Sequence, residues 1–555
     1  MLTKNNLYLK LMIICIVLIN CLGMFFPLLQ SSYSPYFGSI AKHIVSSNNW
    51  TDLVLLNHDW LDKPHFPFWI TALAFKLLGI NSVAYILPGF LFNLCGIYYT
   101  YRLSRLWYSK QVGLLAALFT SCAFHLMLSA IDVRAEAYLI GEIMPACYYW
   151  LKYDRNSKIK YLLLGAIFTA LALMTKGIFI IITITSGLIA VWIYQCQIKK
   201  LISFKWLMAL ALCFIFIAPE IYALYVQFDL HPQKIVFGHN HVSGIRWYFW
   251  DSQFGRFFGT GPIMSSNPPP WHELFFVHTF LWAYLPWWPM FVAALVTNIK
   301  QLIINKFRVK SVANVFLFNS FFVTFILFSL TKFQVDHYTN IIFPFASIIC
   351  ANWFINITQA SSLTKIYYIE NIISAILLLV VLILTPLVLS GSAIWLMEAL
   401  LVIGIILIIK LRSQNKYSKT LYYPSITICL VFVFVTLVNG TGYVKYDAGY
   451  QIATYLNRDT NIKLVGYDID ILGLNLYSHN QYQQVDDLQQ LATIVPPYYL
   501  ITQQKDQNIV QMSNKHHQLV TTISGGSIED YLHHVLNKKD LAQDLNKYVI
   551  LQVEK

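Results

Sequence analysis

The chain reads as an α-helical polytopic membrane protein that ends in a small α/β domain. Three observations predict this. Of its 555 residues, 57% are hydrophobic and only 12% charged, about half the charged share of a soluble domain. Apolar runs long enough to cross a bilayer recur from Leu7 to about residue 438. After Gly440 those runs stop, and the chain becomes rich in charge, Gln and Asn. Such a composition excludes an ordinary soluble enzyme, a disordered chain and a secreted disulfide scaffold. The nine cysteines lie in or beside apolar runs and form no CxxC pair. They read as small packing residues.

A helix needs about 20 apolar residues to cross a bilayer. Leu7–Phe26 meets that length and lacks a small-residue cleavage site, so it reads as a retained anchor helix. Twelve further spans are predicted near 82–101, 112–131, 134–151, 160–175, 177–196, 204–226, 276–297, 311–331, 337–356, 367–390, 393–410 and 420–438. The count is thus about thirteen, with Lys176-Gly177 interrupting the stretch 160–196.

Cations fix the expected orientation. With Lys4 and Lys10 in the cytoplasm, the connections carrying Arg102, Arg105, Lys152, Arg155, Lys199, Lys200, Lys306, Arg308, Lys410 and Arg412 fall on the same side. Asp52, Asp59, Asp62, Asp132, Glu136, Asp229, Asp251 and Glu273 fall on the other. That is the positive-inside pattern. The net charge of +13 is therefore a topology signal, and nucleic-acid binding is discarded. An odd number of spans places the C-terminus outside the cytoplasm. The predicted division is a transmembrane domain over 1–440 and an extracytoplasmic domain over 441–555. In the latter, Ala448–Leu456 reads as an amphipathic helix, and Lys463–Ile469, Tyr498–Thr502 and Tyr548–Val553 as strands. Gly525-Gly526 reads as a turn, and no nucleotide-binding loop is present.

Two long loops on the extracytoplasmic face, near 27–81 and 227–275, carry most of the chemistry-bearing residues. In the first, Tyr36–Ser46 has helical apolar spacing and suits an amphipathic helix in the interface. Trp60-Leu61-Asp62-Lys63-Pro64 then places a cation among aromatics at headgroup depth. It serves as an interfacial anchor or as a lipid-phosphate site with Lys63 as the cation. The second loop carries His239-Asn240-His241, Arg246, Asp251 and Arg256. An HxH pair is either a pair of metal ligands on a strand or two exposed histidines. Asp132-Val133-Arg134-Ala135-Glu136, Lys176, Lys332, Asp336, His337 and Tyr338 all lie at span ends on the same face. Charges there are costly unless they face a cavity or one another. Their convergence suggests a site for a charged headgroup on a lipid.

The stretches "IAKHIVSSNNW…WLDKPHFPFWITALAFKLLG", "IDVRAEAYLIGE", "LMTKGIF" and "DHYTNIIFPF", in this order, resemble the lipid-carrier-dependent glycosyltransferases of the GT-C class. The nearest branch is the bacterial aminoarabinose (lipid A) transferases, related to the protein O-mannosyltransferases. The resemblance covers about residues 8–360. It implies a GT-C fold and an inverting glycosyltransferase. Such an enzyme moves a sugar from a polyprenyl (undecaprenyl) phosphate carrier to an envelope acceptor, lipid A or a related glycan, at the periplasmic face of a bacterial inner membrane. By the same resemblance, Lys63, Lys176, Tyr338 and an Arg of the second loop, Arg246 or Arg256, contact the carrier phosphate. Asp132 and Glu136 serve the chemistry. Asp62 with His239 or His241 holds a divalent metal, zinc or magnesium, and no nucleotide is needed. One departure stands out. The family places an acid before the interfacial helix, where this chain has Ser31-Ser32-Tyr33-Ser34-Pro35-Tyr36. That loss fits a phosphate acceptor needing no strong base, a transfer of the role to Asp132 or Glu136, or a changed activity. The rival reading is a lipid or sugar transporter, for which internal repeats and broken helices in both halves would be expected.

Overall fold

The computed structural model describes residues 2–27, 34–260, 274–306, 311–357, 362–411, 416–459, 461–469, 471–508, 517–526 and 545–554. Helices occupy every predicted span position, but not every one is an unbroken helix that is both long and apolar. Among the described residues, eight helices are long and apolar enough to cross, or ten if each of two bent pairs counts as one span. The remaining three of the predicted thirteen differ for local reasons.

The N-terminal helix α1 (Leu2–Cys21) precedes α2 (Ser34–Ser47), the predicted interfacial helix. The first loop continues as a two-residue antiparallel pair, β1 (Val54–Leu55) and β2 (His58–Asp59), and then the short apolar helix α3 (Phe66–Leu78). Next comes α4 (Ser82–Ser104), capped by the Asn81 side chain on Ala84 N–H. The predicted span 112–131 is broken at Cys122-Ala123 into α5 (Lys110–Ser121) and α6 (Phe124–Ser129). In α7 (Ala135–Asn156), Glu136, Glu142 and Lys152 interrupt the apolar run. Helix α8 (Ile159–Lys176) stops at Gly177, and α9 (Ile180–Tyr194) is a short 15-residue helix.

The next span bends by 43° where Ile217-Ala218-Pro219 joins α10 (Phe204–Phe216) to α11 (Ala218–Leu224), which continues as a wide turn to Asp229. The predicted span 276–297 is instead two helices, α12 (Phe275–Ala283) and α13 (Trp288–Ile304), at 119°. Leu285-Pro286-Trp287-Trp288-Pro289 lies at the corner, and proline removes backbone donors and blocks the preceding helical turn. Beyond it come α14 (Val312–Ser329), α15 (Phe343–Ile357, entered through a tight turn from Asp336), α16 (Ser362–Val388), α17 (Ser392–Lys410) and α18 (Lys416–Leu437).

The packing centre is the α4–α7 pair. Gly141 of α7 sits against the Phe92 carbonyl of α4 so closely that a Cβ there would overlap it. Small residues allow such backbone approach where lipid gives no hydrophobic drive between helices.

The C-terminal domain is α/β, as its sequence predicts. Helices α19 (Ala448–Leu456), α20 (Leu472–Tyr477) and α21 (Leu488–Thr493) accompany a five-stranded sheet of order β4-β3-β5-β7-β6. Its strands are β3 (Lys463–Tyr467), β4 (Tyr482–Val485), β5 (Tyr498–Gln503), β6 (His517–Gly525) and β7 (Asn546–Val553). Strand β3 pairs parallel to β4 and β5, while β7 pairs antiparallel to β5 and β6. This domain rests on α2. Lys42 Nζ donates to the Asn475 and Ser478 carbonyls, at 2.7 and 2.6 Å, at the C-terminal end of α20. The first loop and the C-terminal domain therefore share one face of the membrane part.

Candidate active site

The polar residues at the span ends gather beneath that shared face. The loop before α3 delivers Asp62 and Lys63, whose carboxylate and ammonium pair at 2.8 Å. The other Asp62 oxygen meets the Arg256 guanidinium, from the short helical turn Arg256–Phe258. Burial alone would raise the Asp62 carboxyl. The Lys63 and Arg256 charges outweigh that and hold it well below the usual carboxylate range. Arg256 also lies 5.2 Å from the Phe333 ring centre, a cation–π distance.

A second ion pair lies behind the first. Lys176, the last residue of α8, bonds the Glu136 carboxylate in the first turn of α7. Its ammonium also sits 3.7 Å from the centre of the Tyr338 ring. His337 Nε2 approaches the other Glu136 oxygen at 3.7 Å. A third pair follows: Arg134 binds Asp132 at 2.7 and 2.9 Å and reaches His337 Nδ1 at 2.9 Å. Asp336 receives the His337 backbone N–H at 2.7 Å. Asp132, Arg134, His337 and Glu136 thus form one continuous polar chain.

Helix α7 begins at Ala135 and Arg134 is extended, so Asp132 is not on the helical face of Glu136. It turns instead toward α2 and accepts from Ser34 Oγ at 2.9 Å. Arg134 stands between the two acids. Residues 31–33 of the stretch lacking the family acid lie outside the described residues.

Asp62, Lys63, Lys176, Arg256 and Tyr338 line a cavity of about 70 Å³, and Glu136, His337, Arg134 and Asp132 lie behind its wall. It shares Phe179, Phe257 and Leu327 with a neighbouring groove of about 450 Å³, whose walls are Leu, Ile, Phe and one Cys. Gly177, at φ +99°, lets the Gln253 side chain lie over the α8–α9 break, where Gln253 Nε2 donates to the Lys176 carbonyl at 3.3 Å. The second loop is thereby pinned to the α8–α9 break.

Of the sequence-derived site residues, Asp62, Lys63, Asp132, Glu136, Lys176, Arg256 and Tyr338 are brought together. Arg246, His239 and His241 are not. Arg246 has a 73% exposed side chain and pairs with Asp251 at 3.5 Å. His239 closes a tight hairpin with Val236, through Phe237 and Gly238 at φ +53° and +76°, and both histidines face outward. Positive φ at both central residues marks a two-residue turn, which explains why HxH here is not a ligand strand. Among the described residues no three His, Cys, Asp or Glu side chains gather for a metal. Asp62, the one acid of the expected set at the cavity, is held among the described residues by two cations, Lys63 and Arg256. His272 and Glu273 of the same loop lie outside the described residues.

The sequence reading missed Glu220, which lines the cavity, and gave no role to His65, its partner at 3.0 Å. The signal was present: Glu220 is the lone acid in the apolar run 204–226. It also missed His125, which faces Asp336 at 3.7 Å.

Residues 62–222 match the family described as dolichyl-phosphate-mannose-protein mannosyltransferase. An undecaprenyl phosphate-alpha-4-amino-4-deoxy-L-arabinose arabinosyl transferase 2 of Proteus mirabilis is 23% identical over 346 residues, covering 60% of this chain and 58% of that one. The corresponding transferase of Erwinia tasmaniensis is 25% identical over 175 residues, covering 30% and 31%. The chain thus matches less than two thirds of the length of these curated relatives. ArnT from Cupriavidus metallidurans bound to undecaprenyl phosphate superposes with a TM-score of 0.71 at 15% identity, covering 98% of both chains. The chain is therefore a multi-pass membrane protein with the GT-C fold, similar in sequence to the aminoarabinose transferases and in structure to ArnT.

Proposed function

We propose that this chain is an integral membrane glycosyltransferase that takes a sugar from a polyprenyl phosphate carrier and passes it to an envelope acceptor such as lipid A. The observation that carries this reading is the junction of two unlike spaces. A small cavity with three cations, Lys63, Lys176 and Arg256, runs into an entirely apolar groove. That pairing suits an amphiphile with a phosphate head and a long hydrocarbon tail. Lys63 and Arg256 stabilise the leaving phosphate as its charge develops. Lys176 is held over Tyr338 by Glu136, which makes Glu136 the anchor of that third cation. Asp132 has a 28% exposed side chain and faces α2. It is the better placed of the two acids to receive an acceptor proton, with Ser34 and Arg134 orienting it. Attack opposite the leaving phosphate inverts the anomeric carbon.

The relatives act on an undecaprenyl phosphate-linked aminoarabinose by name, and that is the donor to try first. The same reading places the chain in a bacterial inner membrane, with a cytoplasmic N-terminus and a periplasmic C-terminal domain. Reporter fusions at Gln414 and Gln504 are expected in opposite compartments. The decisive experiment is transfer from undecaprenyl phosphate-aminoarabinose to lipid A by the purified protein, with mass spectrometry of lipid A from a deletion strain. Unchanged lipid A in that strain and no transfer in vitro would remove this donor–acceptor pair. Failure of the protein to bind undecaprenyl phosphate at all would remove the carrier-dependent reading.

A further inference from the structure

We infer that Glu220 is a positioning residue for the Asp62-Lys63 segment, acting through His65; this rests on the carrier-phosphate reading of Lys63 given above. Glu220 is fully buried in α11, in the second half of the broken span. Its Oε2 accepts the His65 backbone N–H at 3.0 Å, and its Oε1 lies 3.0 Å from His65 Nδ1. The other ring nitrogen, Nε2, lies 3.0 Å from the Thr51 carbonyl. A carbonyl oxygen can only accept, so Nε2 carries a hydrogen. One proton then lies between Nδ1 and Oε1. Whichever atom holds it, the His65–Glu220 pair has no net charge and does not diminish the positive cavity beside it.

The consequence is mechanical. Pro64 separates His65 from Lys63, and its ring fixes φ near −65°. Proline also restricts the backbone of the residue before it, so the clamp holds the Lys63 backbone from which the side chain reaches Asp62. A second clamp holds the other flank. Gln227, two helical turns beyond Glu220, donates to the Leu53 carbonyl at 2.8 Å and to Asp59 Oδ1 at 2.9 Å, and its own oxygen accepts Leu53 N–H at 3.0 Å. Lys234 adds a bond to Asp59 at 2.8 Å. The segment Trp60–Pro64 is therefore stretched between two points supplied by one broken span. The bend at Ile217-Ala218-Pro219 swings both Glu220 and Gln227 under the loop.

Hydrogen bonding, rather than charge, is the agent here, and that separates this role from a catalytic acid. Glu220→Gln keeps every contact: its oxygen accepts His65 N–H, its amide donates to Nδ1, and Nε2–H still meets Thr51. Glu220→Ala loses the clamp. The test uses the full chain in nanodiscs. One measurement is the Kd for undecaprenyl phosphate per folded molecule; the other, made without ligand, is acylation of Lys63 followed by mass spectrometry. Glu220→Ala is expected to weaken binding about tenfold or more and to raise Lys63 labelling, while Glu220→Gln stays within about twofold of the parent in both. His65→Ala, which leaves the backbone clamp intact, should fall between them and carries the test if Glu220→Ala does not fold. Parent-like Kd and labelling in the alanine variants would overturn the inference. Loss in Glu220→Gln equal to that in Glu220→Ala would also overturn it, because charge would then be the agent. If the parent itself does not bind undecaprenyl phosphate, the carrier reading fails, and the labelling result still reports on the clamp.

Discussion

Replacing Glu136 by Gln separates a stabilising acid from a catalytic one, and the structure sets the magnitude. The Glu136 and Lys176 side chains are 2% and 14% exposed, so water does not screen their pairing. Removing one partner of such a pair leaves an uncompensated buried charge, at a cost of about 3–5 kcal/mol. The Gln carbonyl can still accept from Lys176, returning about 1 kcal/mol. The Tyr338 face also continues to stabilise the ammonium. A net loss of about 2–4 kcal/mol follows. Asp132→Asn is the control: its pair with Arg134 is 28% and 20% exposed, and Arg134 keeps His337, so about 1 kcal/mol is expected. The double variant Glu136→Gln/Lys176→Met removes the stranded charge and should regain most of the loss, because buried pairs exchange for apolar residues at little cost. Equilibrium unfolding in mixed micelles measures all three, with sugar transfer per folded molecule on the same samples. Asp132→Asn should lose transfer with little loss of stability, and Glu136→Gln should lose stability first. Equal stability of the two single variants, or no recovery in the double, would refute the reasoning.

Three further outcomes are expected. Lys63→Ala removes a charge-assisted contact of about 1.5–3 kcal/mol, so undecaprenyl phosphate binding should fall about ten- to a hundredfold at normal expression; unchanged affinity would reduce Lys63 to an interface anchor. Gly141→Ala forces α7 away from the Phe92 carbonyl and should cost about 1–3 kcal/mol, read by unfolding; a neutral result would mean the helices part without loss. Burial pushes the Lys42 ammonium from 10.5 down to about 8. Between those values the unfolded chain holds a proton that the folded chain lacks, so stability rises with pH across that window. The parent should therefore gain stability relative to Lys42→Met between pH 8 and 10, and a relative loss would contradict the buried ammonium.

Much of the fold was legible because hydropathy reports burial in lipid one segment at a time. It located the ten candidate spans among the described residues, yet could not report a path. The corner at Pro286 and the break at Cys122-Ala123 lie inside continuous apolar runs, where composition says nothing of direction. In the C-terminal domain, β3, β5 and β7 were legible from alternation, whereas β4 (Tyr-Gln-Gln-Val) and β6 (beginning His-Gln) are polar edge strands and were not. At the site, charges at span ends were conspicuous because bilayers penalise them, which exposed Lys63, Glu136 and Lys176. Partners were another matter. The spacing of His239 and His241 left open a ligand pair or an exposed pair, and at a tight turn both are exposed. Glu220 and His65 are 155 residues apart, and nothing local in either segment announces the other.

The seat of the C-terminal domain on α2 bears on the order in which the molecule is made. Lys42 and the Asn475 carbonyl that it binds are separated by 433 residues. At ordinary translation rates, the ribosome needs roughly 20–90 s to travel that distance. Through that interval every span can enter the bilayer while the helix carrying Ser34 stays without its outer brace. The helix that carries the Ser34–Asp132 contact is braced only once Asn475 and Ser478 have emerged. A product that stops before Asn475 would keep every candidate span and lack the brace on α2.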